Sequence, residues 1–268
     1  MRSEPVELSG GDALRLRHWD SPQTRARVLL VHGLGGSAER PYMMRAASHF
    51  LNMGYSVSSL SMRRTCQGAS RYHLGLYEDI ECALHALERA SRDSRLCLLG
   101  FSGGGSVVLH FLARSSDAGR VQAAACMSAP LDLPALGRHV EQNTPFYHRH
   151  LVRGLSVGAE APYRSLRDFD ERVLCGHYGF AGVEDYRVRA SAGPLVGAIR
   201  TPTLLLESSD DPLVPAAMNH AYAKGASASV TRVVTAHGGH IGWVQSAREL
   251  RTADSWGLRR VSTFFDAV

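Results

Sequence analysis

The sharpest chemical feature of the chain is Gly100-Phe101-Ser102-Gly103-Gly104, a G-x-S-x-G run between an apolar stretch, Arg95 to Leu99, and a helix-forming stretch from Gly103 to Arg114. At such a junction the serine sits on a tight, strained turn, and the flanking glycines let the backbone bend without a Cβ clash. A serine hydroxyl is a poor nucleophile near neutral pH. It needs a base within hydrogen-bond reach and an acid that fixes the tautomer of that base. Two adjacent acids, Asp210 and Asp211, follow the apolar run Thr203 to Leu206. That places them at the C-terminal end of a strand, where the functional groups of a parallel sheet gather. Two histidines, His237 and His240, lie in the glycine-rich run Ala236-His-Gly-Gly-His-Ile-Gly242. The order along the chain is serine, aspartate, histidine.

Acyl chemistry also requires donors aimed at a developing oxyanion. The backbone amides of Gly103, next to the serine, and of Leu34, in His32-Gly-Leu-Gly-Gly-Ser37, are the candidates. The run Gly33 to Ala38 also fits G-x-G-x-x-A, a dinucleotide-binding pattern. Against that reading, Gly54 to Met62 holds no acid for a ribose, although Arg63-Arg64 would suit a 2′-phosphate. No cofactor is expected. His73, His110 and His177, and the five cysteines Cys66, Cys82, Cys97, Cys126 and Cys175, lack metal-ligand spacing, so no metal is expected either. Phe146-Tyr-His-Arg-His150 reads as an amphipathic surface.

Positioning these groups takes a regular frame. Val6 to His18 reads as an opening antiparallel hairpin broken at Gly10-Gly11, and Arg27 to Val31, Tyr55 to Met62, Arg95 to Leu99, Val121 to Met127, Thr203 to Leu206 and Val230 to Val234 read as strands. Helices are expected from Pro41, over Tyr77 to Ala90, Gly103 to Arg114, Ala216 to Lys224 and Ser255 to Asp266. The alternation predicts an α/β fold with a mostly parallel central sheet and helices on both faces. Residues 131 to 200 break the rhythm and carry no clear strand. They are expected to form a small helical cap or lid inserted into a core of residues 1–130 and 201–268.

Composition narrows the function classes. With 268 residues, 44% hydrophobic and 21% charged, the chain reads as globular. Its net charge of +5 is spread along the sequence rather than gathered in a stripe, which argues against nucleic acid. Lys224 is the only lysine, which removes most routes to Schiff-base chemistry. Scattered cysteines in odd number, the absence of an apolar run after Met1 and of any membrane-spanning stretch lead to the expectation of a cytoplasmic protein.

Taken together, His32-Gly-Leu-Gly-Gly-Ser37, Tyr72-His73 with Gly75 and Asp79, Ser128-Ala-Pro-Leu-Asp132, Tyr178-Gly-Phe180 with Asp185-Tyr186, Asp210-Asp211-Pro212 and Gly238-Gly-His-Ile-Gly242 resemble the α/β-hydrolase family, within it the YheT-type branch of esterases and lipid hydrolases. They run from about residue 28 to 245. One departure is Arg63-Arg64, where that branch often carries Arg-Gly. The D-x-x-V-P run from Asp211, and Gly239 before His240, match the family pattern. The resemblance therefore implies Ser102 as nucleophile, His240 as base, Asp211 as the acid that orients it, and an oxyanion hole from Leu34 and Gly103. Asp210 is then expected to cap the following helix or close an Asx-turn. The implied activity is cleavage of a small or lipid-like carboxylic ester through an acyl-enzyme. An acyltransferase or thioesterase built on the same triad, or a binding protein on the same scaffold, would share these residues.

Overall fold

The computed structural model describes every residue except 1, 9–11, 23, 64–70, 91–94, 158 and 253. Cys66, Arg64, Gly10, Gly11 and Gly68 therefore lie outside the described residues. Strands β1 (Arg2–Glu7), β2 (Ala13–Trp19), β3 (Arg27–Val31), β4 (Ser56–Ser61), β5 (Leu96–Phe101), β6 (Ala123–Met127), β7 (Thr203–Ser208) and β8 (Val230–Thr235) form one sheet. Its order is β1-β2-β4-β3-β5-β6-β7-β8. The opening hairpin β1–β2 and the β2–β4 pair are antiparallel, and all other pairs are parallel. This is the expected α/β architecture.

Helices α1 (Pro41–Asn52), α2 (Glu78–Ala90) and α3 (Gly103–Arg114) connect the central strands, and α4 (Leu133–Asn143), α5 (Pro145–Ser156), α6 (Leu166–Phe169), α7 (Gly176–Tyr178) and α8 (Val183–Arg189) follow β6. Short α9 (His220–Ala223) lies between β7 and β8, and α10 (Ala247–Thr252) and α11 (Trp256–Ala267) close the chain. All five positions of β3 are buried, as a strand covered on both faces must be. Its side chains alternate between two cores. Leu29 and Val31 pack with Val107, Leu109, Ile80 and Leu84 of α3 and α2. Val28 and Leu30 pack with Met43 and Phe50 of α1 and Val261 and Phe265 of α11. The period of two along each strand thus puts one pair of helices on each face.

β7 runs on to Ser208 and β6 starts at Ala123, and two further departures bear on the site. β5 runs on through Gly100 and Phe101, because these residues pair with Cys126 and Met127 of β6. The helix expected over Ala216 to Lys224 shrinks to His220–Ala223. There the Ala216 amide turns back to the Ser208 carbonyl at 3.1 Å. Buried Asn219 spends its side chain on the Ala129 carbonyl, the Leu131 amide and Glu207.

Residues 131–200 are helical and strand-free among the described residues. The segment's two ends meet at the sheet edge, where the Gly193 amide donates to the Leu131 carbonyl at 2.9 Å. Inside it, the buried Arg187 guanidinium joins Asp170 at 3.0 Å to Glu141 of α4 at 3.2 Å. His73 fastens the segment from the core side, its ring edge-on to Tyr178, Phe180 and Tyr186.

The first turn of α3 presses directly on β3. A Cβ at Gly104 would lie 2.4 Å from the His32 carbonyl oxygen and 2.5 Å from that of Val31. Glycine to alanine inside a helix ordinarily stabilises by up to about 1 kcal/mol. Gly104→Ala is expected to do the reverse and destabilise by about 1–3 kcal/mol through overpacking, read as a lower midpoint of urea unfolding.

Candidate active site

Ser102 stands between β5 and α3 with φ 52° and ψ −123°, a conformation that non-glycine residues rarely adopt. The turn is held from both sides. The Ser102 amide donates to the Met127 carbonyl at 2.8 Å, and a Cβ at Gly100 would approach the Gly105 Cα to 2.6 Å. The two outer glycines of G-x-S-x-G are thus required by close backbone approach. Ser128, Ile241 and Trp243 are the other non-glycine residues at positive φ among the described residues. Two of them follow His240, and Ser128 contacts the same loop: its hydroxyl accepts from the Ile241 amide at 3.2 Å.

The structure brings Ser102, His240 and Asp211 together. Ser102 Oγ lies 3.0 Å from His240 Nε2, and His240 Nδ1 lies 2.9 Å and 3.0 Å from the two Asp211 carboxylate oxygens. The Asp211 side chain is fully buried and the His240 ring is partly exposed. Burial pushes the Asp211 carboxyl up, but the His240 hydrogen bond and charge, the Val214 amide and the Ser128 hydroxyl outweigh it and hold the group below the usual carboxylate range. An ionised Asp211 accepts from Nδ1 of the imidazole, which directs Nε2 toward Ser102.

The division of labour between the two aspartates differs from expectation. Asp211 itself closes the Asx-type turn, its Oδ1 accepting from the Leu213 and Val214 amides at 2.8 and 2.9 Å. Asp210 caps nothing downstream and instead pins the histidine loop, accepting from the Gly238 and Gly239 amides at 2.9 and 2.8 Å. His237, exposed, stands 3.2 Å from the same carboxylate. The Ser208 hydroxyl, then the Gly239 amide, hold the Asp210 carboxyl down at about 2.

The oxyanion candidates also converge. A Cβ at Gly103 would fall 3.3 Å from the Leu34 nitrogen, so the two backbone segments lie side by side next to Ser102. At the start of α3 the Gly103 N–H has no acceptor within its own helix. In the β3–α1 turn, Gly33 donates to the Tyr42 hydroxyl at 3.0 Å, Gly35 to the Tyr72 hydroxyl at 2.9 Å and Gly36 to the Gly33 carbonyl at 3.0 Å. Leu34 alone of these amides has no acceptor among the described residues. Tyr72 returns its own proton to the Gly33 carbonyl at 2.8 Å, so one phenol spans the turn. Three of the four amides from Gly33 to Gly36 are thus bonded within the protein.

Neither clamping tyrosine stood out in the sequence as a site residue. Tyr42 and Tyr72 are 9 and 37 residues from their partners in the turn, and no local spacing announces such contacts. The other sequence candidates lie elsewhere. His73 accepts from the Gly75 amide at 3.1 Å, and His110 bonds the Ala190 carbonyl at 3.0 Å. Burial pushes His73 down to about 3 and His110 down to about 4. Arg63 is spent on Asp79, its guanidinium 2.6 Å from the carboxylate. Among the described residues no group of three or more histidine, cysteine or acidic side chains is arranged to hold a metal.

A cavity of about 400 Å³ opens over Ser102 and His240. Its walls include Leu136 and Val140 of α4, Leu151 of α5, Leu166, Leu213 and Val214. This volume lies in the range of small-molecule sites.

A family model described as serine aminopeptidase, S33, matches residues 22–241, which include all of these groups. The chain belongs to that family of α/β-hydrolases. As an S33-family protein it is a serine hydrolase, related to YheT of Escherichia coli (strain K12), with 29% identity covering 89% of this chain and 77% of the relative. It is similar to human phospholipase ABHD3, with 24% identity covering 100% of this chain and 70% of that one. The S33 fold superposes on the Pyrococcus furiosus esterase Pf2001 with a TM-score of 0.67, at 17% identity over 99% of this chain and 89% of that one. The Est1E structure from Butyrivibrio proteoclasticus with ferulic acid bound gives 0.67 at 15% identity, over 99% and 100% of the two chains.

Two outcomes follow from this geometry. Tyr72→Phe removes both bonds that span the β3–α1 turn and is expected to lower kcat by about 10- to 100-fold while KM moves by less than about twofold, measured in steady state. Asp210→Ala is expected to lower the urea midpoint at pH 7. The folded pKa of Asp210 lies below its ordinary value near 4, so its contribution is complete above that pH and disappears as pH falls through about 2. The difference between the variant and the parent protein should close over that window.

Proposed function

We propose that the protein hydrolyses carboxylic esters, with Ser102 as nucleophile, His240 as general base and acid, Asp211 as the group that orients the imidazole, and the Leu34 and Gly103 amides as the oxyanion hole. The observation that carries this reading is the unbroken hydrogen-bond chain from Ser102 Oγ through His240 to the buried Asp211 carboxylate. As the Ser102 oxygen attacks the ester carbonyl, its proton passes to His240 Nε2, and Asp211 stabilises the imidazolium. The carbonyl oxygen takes the negative charge and receives the two amides. Collapse expels the alkoxide, which leaves with the His240 proton, and the acyl group stays on Ser102. Water then gives its proton to His240, attacks the acyl carbon and releases the acid with Ser102 restored.

The cavity supports an ester over the N-terminus of a peptide. An aminopeptidase must hold a free α-ammonium, which calls for a carboxylate facing it. Among the described residues no aspartate or glutamate lines the cavity, whose apolar walls include six leucines and two valines. Names of the relatives, a phospholipase and esterases, agree with an ester or lipid-like substrate. The helical segment 131–200 acts in this reading as a cap over a core of residues 1–130 and 201–268, since α4 and α5 supply one wall of the cavity. A reducing cytoplasmic setting belongs to the same proposal and is supported by free thiols at Cys82, Cys97, Cys126 and Cys175. Among the described residues no helix is long and apolar enough to cross a membrane.

A series of p-nitrophenyl esters of increasing acyl length tests the assignment. Ser102→Ala is expected to cut turnover by about a thousandfold or more with the urea midpoint unchanged, and to abolish labelling by a fluorophosphonate probe. Full esterase activity in that variant overturns the proposal.

A further inference from the structure

Among the described residues that line the cavity, one carries a permanent charge, the exposed Arg40, and no acidic side chain among the described residues pairs with it. Arg40 lines the cavity at the end of the β3–α1 turn, and its Nη2 donates to the Gly35 carbonyl at 3.1 Å. A guanidinium has five N–H donors, so most of its capacity is unspent. The nearest acid in sequence, Glu39, is committed to Arg17 at 2.7 Å. No acidic group lies within ion-pair distance of Arg40 among the described residues, and none lines the cavity. Arg63, by contrast, has a buried carboxylate as partner. The bond to Gly35 ties the guanidinium to the turn that presents the Leu34 amide, one residue away. Tyr42, Ser102, His240 and, from α5, Tyr147 and His150 are the other polar side chains of the lining among the described residues.

A cation held at a site wall with open donors and no protein counter-charge is suited to an anion supplied by the ligand. Planar guanidinium geometry matches a carboxylate or phosphate with two parallel hydrogen bonds. Leu136 and Val140 of α4, Leu151 of α5, Leu166, Leu213 and Val214 make an apolar wall that suits a hydrocarbon chain. We propose that Arg40 is the anion subsite of this cavity, and that the natural substrate is an amphiphilic ester bearing a carboxylate or phosphate a few bonds from its scissile carbonyl. This inference rests on the ester-hydrolase reading above.

The test is a selectivity ratio measured within one protein sample, which is independent of the folded fraction. kcat/KM is determined at low salt for two matched pairs. One pair is 1-butyrylglycerol against 1-butyrylglycerol 3-phosphate, with a phosphate on the alcohol side. The other is p-nitrophenyl valerate against mono-p-nitrophenyl glutarate, with a carboxylate on the acyl side. The parent protein is expected to prefer the anionic member of at least one pair by about tenfold. That preference should fall at least tenfold in Arg40→Gln, survive in part in Arg40→Lys and weaken in 0.5 M salt, the salt being a chosen condition that screens exposed charge. The pair that responds identifies which side of the ester carries the anion. Neutral esters turned over with no anionic preference in either pair, or a ratio unchanged in Arg40→Gln, overturn the subsite and leave the hydrolase reading intact. Failure of the parent protein on every ester, neutral and anionic alike, overturns the hydrolase reading instead.

Discussion

The site depends on a backbone constraint at Ser102. Its positive φ is a conformation that costs about 1–3 kcal/mol in isolation and persists only where surrounding structure over-determines it. Here the strand ladder ends on the serine itself, because its amide completes the run of β5–β6 bonds at Met127, while α3 begins at the very next residue. Strand and helix can meet that abruptly only with glycine at positions 100 and 104, where any side chain would run into backbone. The hydroxyl is thereby lifted clear of both elements toward the edge where the loops after β7 and β8 bring Asp211 and His240. Ser128 and Ile241 sit at positive φ in the same neighbourhood and bond to each other, so strain is shared by the two sides of the site.

Around that turn, polar groups are arranged so that few are left to solvent or to chance. The two neighbouring carboxylates face in opposite directions: one is buried against the imidazole, and the other is exposed and holds the loop that carries it. On the far side of Ser102 two phenols do equivalent work for the β3–α1 turn. Burial raises the Tyr42 phenol above its ordinary range, which keeps its hydroxyl protonated. A site held through such bonds reaches its geometry before substrate arrives, which is where electrostatic stabilisation of a transition state has its effect.

Much of this was legible in the sequence. The serine, the two loops that meet it and the α/β frame all followed from local signals: a glycine-flanked serine at a strand–helix junction, acids after an apolar run, a histidine among glycines. What escaped were contacts that sequence spacing does not encode. Tyr72 reaches the oxyanion turn across 37 residues, and Asp210 reaches the Gly239 amide across 29. The helix over residues 216–224 was overestimated for a related reason. Its first amide is drawn to the end of β7, and Asn219 is engaged with the sheet edge, so long-range bonds override local helix propensity.

The junction of Leu131 and Gly193 has a consequence for how such a protein can diversify. The chain departs from the sheet edge and returns to it at one hydrogen-bonded point, fastened beneath by the buried Asn219. The intervening helices contribute wall to the cavity but none of the groups in the hydrogen-bond relay from serine to aspartate. A stretch with adjacent ends can lengthen, shorten or be replaced at little entropic cost to the rest. Substrate shape and bond-breaking machinery are in that sense encoded in separable portions of one polypeptide, and descendants can alter the first while inheriting the second whole.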